Sequence, residues 1–250
     1  WLGDYNKLFE LAKKSHEIYQ YAYGERHSET GLTYKLLGTG YYRLGEYEKA
    51  CSCYEKSKEI WTRIYGEVHS RPSVACFQIG LACIKTGNYT RAIKEIEQSI
   101  QIEKEIAGEE AADLAISFNH LGLAFTLSGD YENGIQNLTY GMQEGMNYYG
   151  KNSNDVAESN YYLGIYYYLT NELHKSIQYI LDSYGIRKEL YGQENPETAL
   201  SIYFLGKLYE KIGEQNIAIK HQTEACEIFT TYHTMHLKLE IDTLVSPLIH

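Results

Sequence analysis

Residues 34–50 read Y-K-L-L-G-T-G-Y-Y-R-L-G-E-Y-E-K-A, and this stretch decides the fold. Tyr34, Leu37 and Tyr41 fall at i, i+3 and i+7, which is the spacing of one face of an α-helix. Gly45 interrupts the pattern, and a second helical stripe begins five residues later. The stretch therefore predicts two antiparallel helices joined by a short turn, which we call helix A and helix B.

The same pattern returns every 42 residues along the chain. The Leu-Gly pair at its centre recurs as Leu37-Gly38, Ile79-Gly80, Leu121-Gly122, Leu163-Gly164 and Leu205-Gly206. A second set of glycines keeps the same interval at Gly24, Gly66, Gly108, Gly150 and Gly192. Self-similarity at such a period indicates a solenoid, in which each unit packs against its neighbours. The predicted fold class is therefore all-α, a solenoid of antiparallel helix pairs.

The glycine of each Leu-Gly pair lies in the middle of helix A, where glycine costs about 1 kcal/mol relative to alanine. Its presence in five successive units requires a compensating contact. Gly38 and its equivalents are predicted to let a neighbouring helix approach closely, over the small residue at Ala50.

The repeat register divides the chain into seven segments. W-L-G-D-Y at the start aligns with R-L-G-E-Y at the end of the first helix A, so residues 1–23 are predicted to be helix B of a truncated repeat. Five complete repeats are predicted at 24–65, 66–107, 108–149, 150–191 and 192–232. Residues 233–250 leave the register and are predicted to be a C-terminal cap or linker, as a helix or, from the alternation of Leu237, Leu239 and Ile241, a short strand. We expect one continuous solenoid domain, excerpted from a longer protein.

Composition excludes several classes of partner. Lys and Arg sum to 23 against 33 Asp and Glu, a net charge of −10 at pH 7, which disfavours binding to nucleic acid. The longest uncharged stretch, Ser159–Asn171, is too short to span a bilayer, so no membrane association is predicted. The odd number of cysteines, five, does not suit a disulfide framework and indicates a reducing, cytoplasmic location.

No catalytic motif is present in the sequence. It contains no H-E-x-x-H, no G-x-S-x-G and no glycine-rich phosphate loop. His233 and His236 lie three residues apart without a carboxylate or thiol close in sequence, and Cys51 and Cys53 have no second ligand pair. The chain is therefore predicted to be neither an enzyme nor a metal- or cofactor-binding protein.

The repeated residues resemble the tetratricopeptide repeat, whose pattern is a bulky residue, Leu-Gly, Tyr, Gly-x-Tyr and Ala. The period of 42 replaces the usual one of about 34, and the endings Y-G-E-R-H and Y-G-E-V-H resemble the kinesin light chain type. This resemblance covers about residues 1–232 and implies a right-handed superhelical solenoid with eleven repeat helices. Kinesin light chain repeats usually carry paired asparagines before the Leu-Gly pair. Only Asn119 matches here, so a motor-cargo role is not implied.

In the geometry that this resemblance implies, helix A positions around the Leu-Gly pair line a concave groove. The predicted partner-binding residues are Lys35, Arg43, Phe77, Lys85, Asn119, His120, Tyr161, Tyr162, Tyr168, Tyr203, Phe204, Lys207 and Lys211. Five of them are cations, against two acids on the same face, Glu158 and Glu210, and the aromatic residues concentrate in the last two pairs. The groove is therefore predicted to bind an acidic protein or peptide, with apolar anchors docking near Tyr162, Tyr168 and Phe204.

The predicted function is a protein–protein interaction scaffold within a larger protein, whose partner is a separate protein, a peptide or another domain of the parent chain. Two alternatives remain open at this point. One is a ligand- or peptide-gated regulatory module of a signalling protein. The other is the regulatory arm of an enzyme whose catalytic domain lies outside this chain.

Overall fold

The computed structural model of the protein describes residues 2–107, 114–232, 238 and 241–242. In these residues it contains eleven α-helices and no strand. The helices are α1 (Leu2–Tyr23), α2 (Ser28–Arg43), α3 (Tyr47–Tyr65), α4 (Ser70–Lys85), α5 (Tyr89–Ala107), α6 (Leu114–Ser128), α7 (Tyr131–Tyr149), α8 (Asn154–Leu169), α9 (Leu173–Tyr191), α10 (Pro196–Lys211) and α11 (Gln215–Thr231). The all-α prediction is therefore confirmed.

Several predicted features lie outside the described residues. They are Gly108 with the start of the third predicted repeat, His233, His236, Leu237, Leu239 and most of the predicted cap or linker at 233–250. Lys238, Ile241 and Asp242 are described, and all three are helical.

The chain divides into two compact units, residues 1–128 and 129–250. In the first unit α2 packs against α3, and α4 against α5. In the second unit α8 packs against α9, and α10 against α11. Each unit thus repeats the pairing of one helix A with the helix B that follows it.

The turns inside these pairs depend on left-handed backbone conformations. Gly45, Gly87 and Gly213 adopt φ values of 76°, 75° and 89°, and Asn171 takes the equivalent place in the second unit with a φ of 63°. Glycine adopts this region freely, and asparagine is among the few other residues that tolerate it. The turn residues of the 42-residue pattern are therefore fixed by backbone geometry.

The loops that join successive pairs in the first unit end in a histidine cap. The Nδ1 atom of His27 accepts a hydrogen bond from the backbone N–H of Glu29 at 3.2 Å, at the start of α2. The ring of His27 stacks on Tyr23 with centroids 4.6 Å apart. His69 caps α4 in the same way and stacks on Tyr65.

The glycine in the middle of helix A sits where another helix approaches closely, as predicted. A Cβ atom on Gly38 would lie 2.6 Å from the ring of Tyr54, and one on Gly80 would lie 2.5 Å from Cγ1 of Ile96. The approaching group needs a correction, because it is the side chain one helical turn beyond the small residue. The small residue contributes its backbone carbonyl, as at Ala92, whose oxygen would lie 3.3 Å from a Cβ on Gly80.

One position near the end of helix B differs chemically between repeats. It holds Trp61 in α3, Glu103 in α5, Gly145 in α7 and Arg187 in α9, at intervals of 42 residues, and it is buried in all of them except at Glu103, which is half-buried. Nε1 of Trp61 donates to the carbonyl of Ser28 at 3.1 Å. The carboxylate of Glu103 accepts from three serine hydroxyls, those of Ser73, Ser99 and Ser117, at 3.0, 3.2 and 3.5 Å. Arg187 donates from Nη1 to the carbonyl of Glu197 and to Oγ of Ser201, at 3.0 and 3.2 Å.

Candidate functional site

The predicted partner-binding residues of the first unit lie on α2, α4 and α6. Arg43 and Lys85 are exposed, and Lys35, Phe77 and His120 are half-buried. The rings of Phe77 and His120 meet edge to face with centroids 5.3 Å apart, so the structure brings these two residues together.

Asn119 needs a correction to the predicted site. Its side chain is fully buried inside the first unit, so it cannot contact a partner in this conformation. Asn119 belongs to the face of α6 that packs into the helix pairs, next to His120, whose Nδ1 lies 3.0 Å from the carbonyl oxygen of Ile116. The single asparagine that matched the kinesin light chain pattern is therefore a core residue here.

The predicted aromatic residues of the second unit form a connected set of rings on α8 and α10. Phe204 lies 5.8 Å from Tyr161 and 5.5 Å from Tyr168, measured between ring centroids. Tyr161 in turn lies 6.1 Å from Tyr162. We call Tyr161, Tyr168 and Phe204, together with Lys211, the Tyr168 cluster.

Burial corrects the predicted roles of four aromatic residues, including Tyr168, near which an anchor was predicted to dock. Phe204 has no exposed surface, Tyr203 is 2% exposed, Tyr161 is 6% exposed and Tyr168 is 7% exposed, so none of them offers a partner a substantial contact area. Their rings fill the space between the helices of neighbouring repeats and hold the surface residues in place. Tyr162 remains half-buried, and its hydroxyl donates to Oε1 of Glu158 at 2.9 Å.

Lys211 is the cation of the Tyr168 cluster. Its Nζ lies 4.1 Å from the centre of the Tyr168 ring, which is close for a cation over an aromatic face. Within the described residues Lys211 forms no ion pair, and burial lowers its pKa. Burial likewise raises the pKa of the Tyr168 hydroxyl. Lys211 itself is exposed, so the cluster presents an ammonium group that is shielded from water on the side of the Tyr168 ring and open to solvent on the other.

Lys207, one turn earlier on α10, is already paired. Its Nζ lies 3.1 Å from Oδ1 of Asp242, and the same oxygen accepts a hydrogen bond from the hydroxyl of Tyr203 at 2.8 Å. Lys238 donates to the other carboxylate oxygen, Oδ2, at 2.8 Å. Although burial opposes it, hydrogen bonds from Lys238, Tyr203 and Lys207 hold the pKa of Asp242 below its usual value.

The sequence analysis missed Asp242 and Arg187. Asp242 falls beyond the five predicted repeats, where the Leu-Gly signal is lost, although it stands one period after Leu200 on helix A. Arg187 occupies a position that is tryptophan or glutamate in the first unit, so periodicity alone did not mark it as buried. Its guanidinium lies 4.8 Å from the centre of the Tyr161 ring, beneath the Tyr168 cluster.

The five cysteines are free thiols, and Cys76 and Cys83 are buried. Among the residues that the structure describes, no group of three or more His, Cys, Asp or Glu side chains could hold a metal ion. In the same part of the chain, every helix is too short or too polar to cross a membrane.

Models of the tetratricopeptide repeat match three stretches of the chain, residues 30–71, 73–106 and 155–231. A comparison with curated proteins found no match.

Several solved structures are similar in fold. BtubC (BKLC) from P. vanneervenii is 19% identical with a TM-score of 0.67, and the match covers 92% of each chain. A putative kinesin light chain with nearly identical repeats from Podosopora anserina is 16% identical with a TM-score of 0.59, over 82% of this chain and 98% of that one. The Rap conjugation gene regulator of plasmid pLS20, solved in complex with the Phr* peptide, is 14% identical with a TM-score of 0.74. That match covers 86% of this chain and 57% of the regulator. These likenesses show the fold, an all-α repeat solenoid, and confirm the predicted class.

Proposed function

The chain belongs to the tetratricopeptide repeat family, in the kinesin light chain-like form with a 42-residue period. From this premise we propose that it is a protein-interaction scaffold that binds an acidic peptide segment at the Tyr168 cluster. Stacked repeats leave extended surfaces for a partner, so the family favours binding over catalysis. A bound peptide in the similar Rap regulator supports a peptide as the partner class.

The observation that carries the proposal is the ammonium group of Lys211. It lies against the Tyr168 ring, has no carboxylate partner among the described residues, and is partly removed from water. A carboxylate placed on this group gains a charge-assisted hydrogen bond in surroundings less polar than water, where such bonds are strongest. Acidic segments are therefore the ligands that this site favours.

The apolar part of the partner is proposed to contact the half-buried rim of the cluster at Tyr162 rather than its buried centre. Phe204 supports the rim from beneath, because it fills the space between Tyr161 and Tyr168. Aromatic contacts that exclude water dominate the affinity of many interfaces, while exposed charges set mainly the rate and orientation of approach.

The test uses two fluorescein-labelled peptides and fluorescence anisotropy. One peptide alternates Asp or Glu with Leu, and the matched peptide carries Asn and Gln in place of the acids. We expect the acidic peptide to bind more tightly, with an affinity that falls as salt is added. Lys211→Gln should weaken its binding about ten- to a hundredfold, since a hydrogen bond to a charged group contributes about 1.5–3 kcal/mol.

The matched control is Lys220→Gln, which removes the same charge from another exposed lysine, on α11, outside the Tyr168 cluster. Equal binding of the two peptides, or equal effects of the two lysine variants, would contradict the proposal.

A peptide-gated regulatory module is a second candidate, favoured by the likeness to the Rap regulator. It differs from a passive scaffold in how far the effect of a bound peptide spreads. A scaffold should show protection from amide hydrogen exchange only around the Tyr168 cluster when the acidic peptide is added, whereas a gated module should also change protection in helices that do not touch the peptide.

A further inference from the structure

A second carboxylate contact on α10 is made within the chain itself. Asp242 places Oδ1 2.8 Å from the hydroxyl of Tyr203 and 3.1 Å from Nζ of Lys207. These two groups stand one helical turn apart on α10, so together they form a fork that holds a single carboxylate oxygen from two sides.

The fork is built from buried or half-buried groups. Tyr203 is 2% exposed, and a buried hydroxyl that loses its acceptor costs about 1–3 kcal/mol. Lys207 is half-buried, and its pKa is raised because the hydrogen bond to Asp242 outweighs the opposing effect of burial. Lys207 and Lys238 also stand over the Tyr203 ring at 5.6 and 5.5 Å, which concentrates positive charge at this point. The Tyr203 hydroxyl therefore requires a hydrogen-bond acceptor, and Lys207, which also lies 3.7 Å from Oε2 of Glu210, favours one that is negatively charged.

Open space adjoins the fork. A groove of about 900 Å³ is lined by Tyr203 and Lys207 of α10, by Lys238 and Asp242, and by polar residues of α11 that include Thr223 and Thr230. This volume lies within the range of pockets that bind small ligands, so it has room for an acidic side chain and its neighbour. A partner's carboxylate has room to approach Tyr203 and Lys207 from this side.

The residue before Asp242 in the sequence is apolar. Ile241 is 1% exposed, so the chain presents a buried apolar residue directly followed by a carboxylate. An acidic segment with an apolar anchor is also the partner proposed for the Tyr168 cluster on the same helix. Ile241 and Asp242 of the chain itself are therefore a segment of the kind proposed as the ligand.

We propose that Tyr203 and Lys207 form a carboxylate-binding site, occupied within the chain by Asp242, and that an acidic partner segment with an adjacent apolar residue exchanges for Asp242 at this site. The inference rests on the proposed function, because it extends the acidic ligand from the Tyr168 cluster to a second contact on α10. Asp242 then acts as an internal competitor that lowers the apparent affinity for the partner.

The experiment measures binding of the labelled acidic peptide to the full chain and to Asp242→Asn. If Asp242 occupies the site in nine molecules of ten, removing its charge should tighten binding about tenfold. The control is Glu227→Gln, which removes one negative charge from the same groove and should leave the affinity unchanged, because among the described residues the Glu227 carboxylate forms no ion pair with Lys207 and accepts no hydrogen bond from Tyr203. Adding Lys207→Gln to Asp242→Asn should abolish the gain.

A second measurement applies even if Asp242→Asn fails to fold. The carboxyl carbon resonance of Asp242, followed by NMR as a function of pH, should report a pKa below the usual value in the free chain. With saturating acidic peptide it should return to the ordinary aspartate range of about 3.9, because the carboxylate has lost its three partners. An unchanged titration with peptide bound would overturn the exchange.

The two proposals fail in different ways. If Lys211→Gln weakens binding of the acidic peptide but Asp242→Asn behaves like Glu227→Gln, the scaffold function stands and the exchange at Tyr203 and Lys207 is wrong. If no form of the protein distinguishes the acidic peptide from its amide counterpart, the proposed function itself is wrong.

Discussion

The position near the end of helix B that holds Trp61 in the first unit holds a charged residue, Arg187, in α9 of the second unit. In the first unit Trp61 packs with Ile60 and Ala75, an apolar group. In the second unit Arg187 occupies the same place in the repeat and bonds to Ser201, the residue that stands in the position of Ala75.

The partner residue changes together with the buried residue. Glu103, which also lies in the first unit, meets Ser117 where Trp61 meets Ala75. A hydroxyl is present wherever the buried group is charged, because a buried charge without hydrogen bonds is strongly destabilising. The repeat period therefore fixes which two positions are in contact, whereas the residue types at those positions vary from one interface to the next.

Removing Trp61, the apolar residue at this position, should have the largest effect on stability. Trp61→Ala empties a fully packed site and removes the hydrogen bond to Ser28, so we expect a loss of about 3–5 kcal/mol in the free energy of unfolding. Urea denaturation followed by circular dichroism measures it. Tyr21→Ala removes a ring that is 95% exposed and should change stability by less than about 0.5 kcal/mol. Similar losses for the two variants would show that Trp61 is not a core residue.

Two substitutions of Arg187 separate the effect of side-chain volume on stability from that of charge. Arg187→Ala leaves a cavity beside Tyr161 and should cost about 2–4 kcal/mol. Arg187→Met keeps most of the volume without the buried charge, and it leaves no charge buried and unpaired, because the carboxylate of Glu197, 3.8 Å from Arg187, belongs to a side chain that is 49% exposed. We therefore expect the methionine variant to stay within about 1 kcal/mol of the parent. A methionine variant as unstable as the alanine variant would mean that the guanidinium itself, rather than its packing, stabilises the second unit.

Substituting the glycine of the Leu-Gly pair should give the smallest change in stability, and it tests whether the repeat period fixes the contact at that glycine. Gly80→Ala forces a methyl group against Ile96 and should cost about 1–3 kcal/mol despite the better helix propensity of alanine. Gly185→Ala is the matched control, because no atom lies within 4 Å of a Cβ atom at that helical glycine. The control should be stabilised by about 0.5–1 kcal/mol. Stabilisation of both variants would contradict the close approach at Gly80.

The sequence predicted well whatever depends on backbone geometry. The turn glycines need positive φ and the mid-helix glycines need space, so Gly45 and Gly80 could be identified from spacing alone. The starts of the helices and the all-α class were predicted from the same 42-residue spacing.

Burial of individual side chains was harder to predict, because helix A packs on more than one neighbour. Phe204 and Asn119 looked like groove residues from their place beside the Leu-Gly pair, yet both are fully buried. Periodicity gives the face of a helix but not how deeply a particular ring inserts between its neighbours. The pairing of Lys207 with Asp242 depends on residues beyond the last repeat, where the pattern offers no register.

The matched pairs at the end of helix B also bear on how such a gene can change. Tandem repeats tend to gain or lose units when misaligned copies recombine. Deleting the unit between Trp61 and Glu103 would bring Trp61 against Ser117 in place of Ala75, and would bury a hydroxyl beneath an indole in a site built for a carboxylate. The Trp61 contact is therefore matched to Ala75, whereas the equivalent position holds a serine in the later repeats, at Ser117, Ser159 and Ser201. Loss of a whole repeat next to Trp61 is therefore expected to be tolerated less well than loss of one among the later repeats.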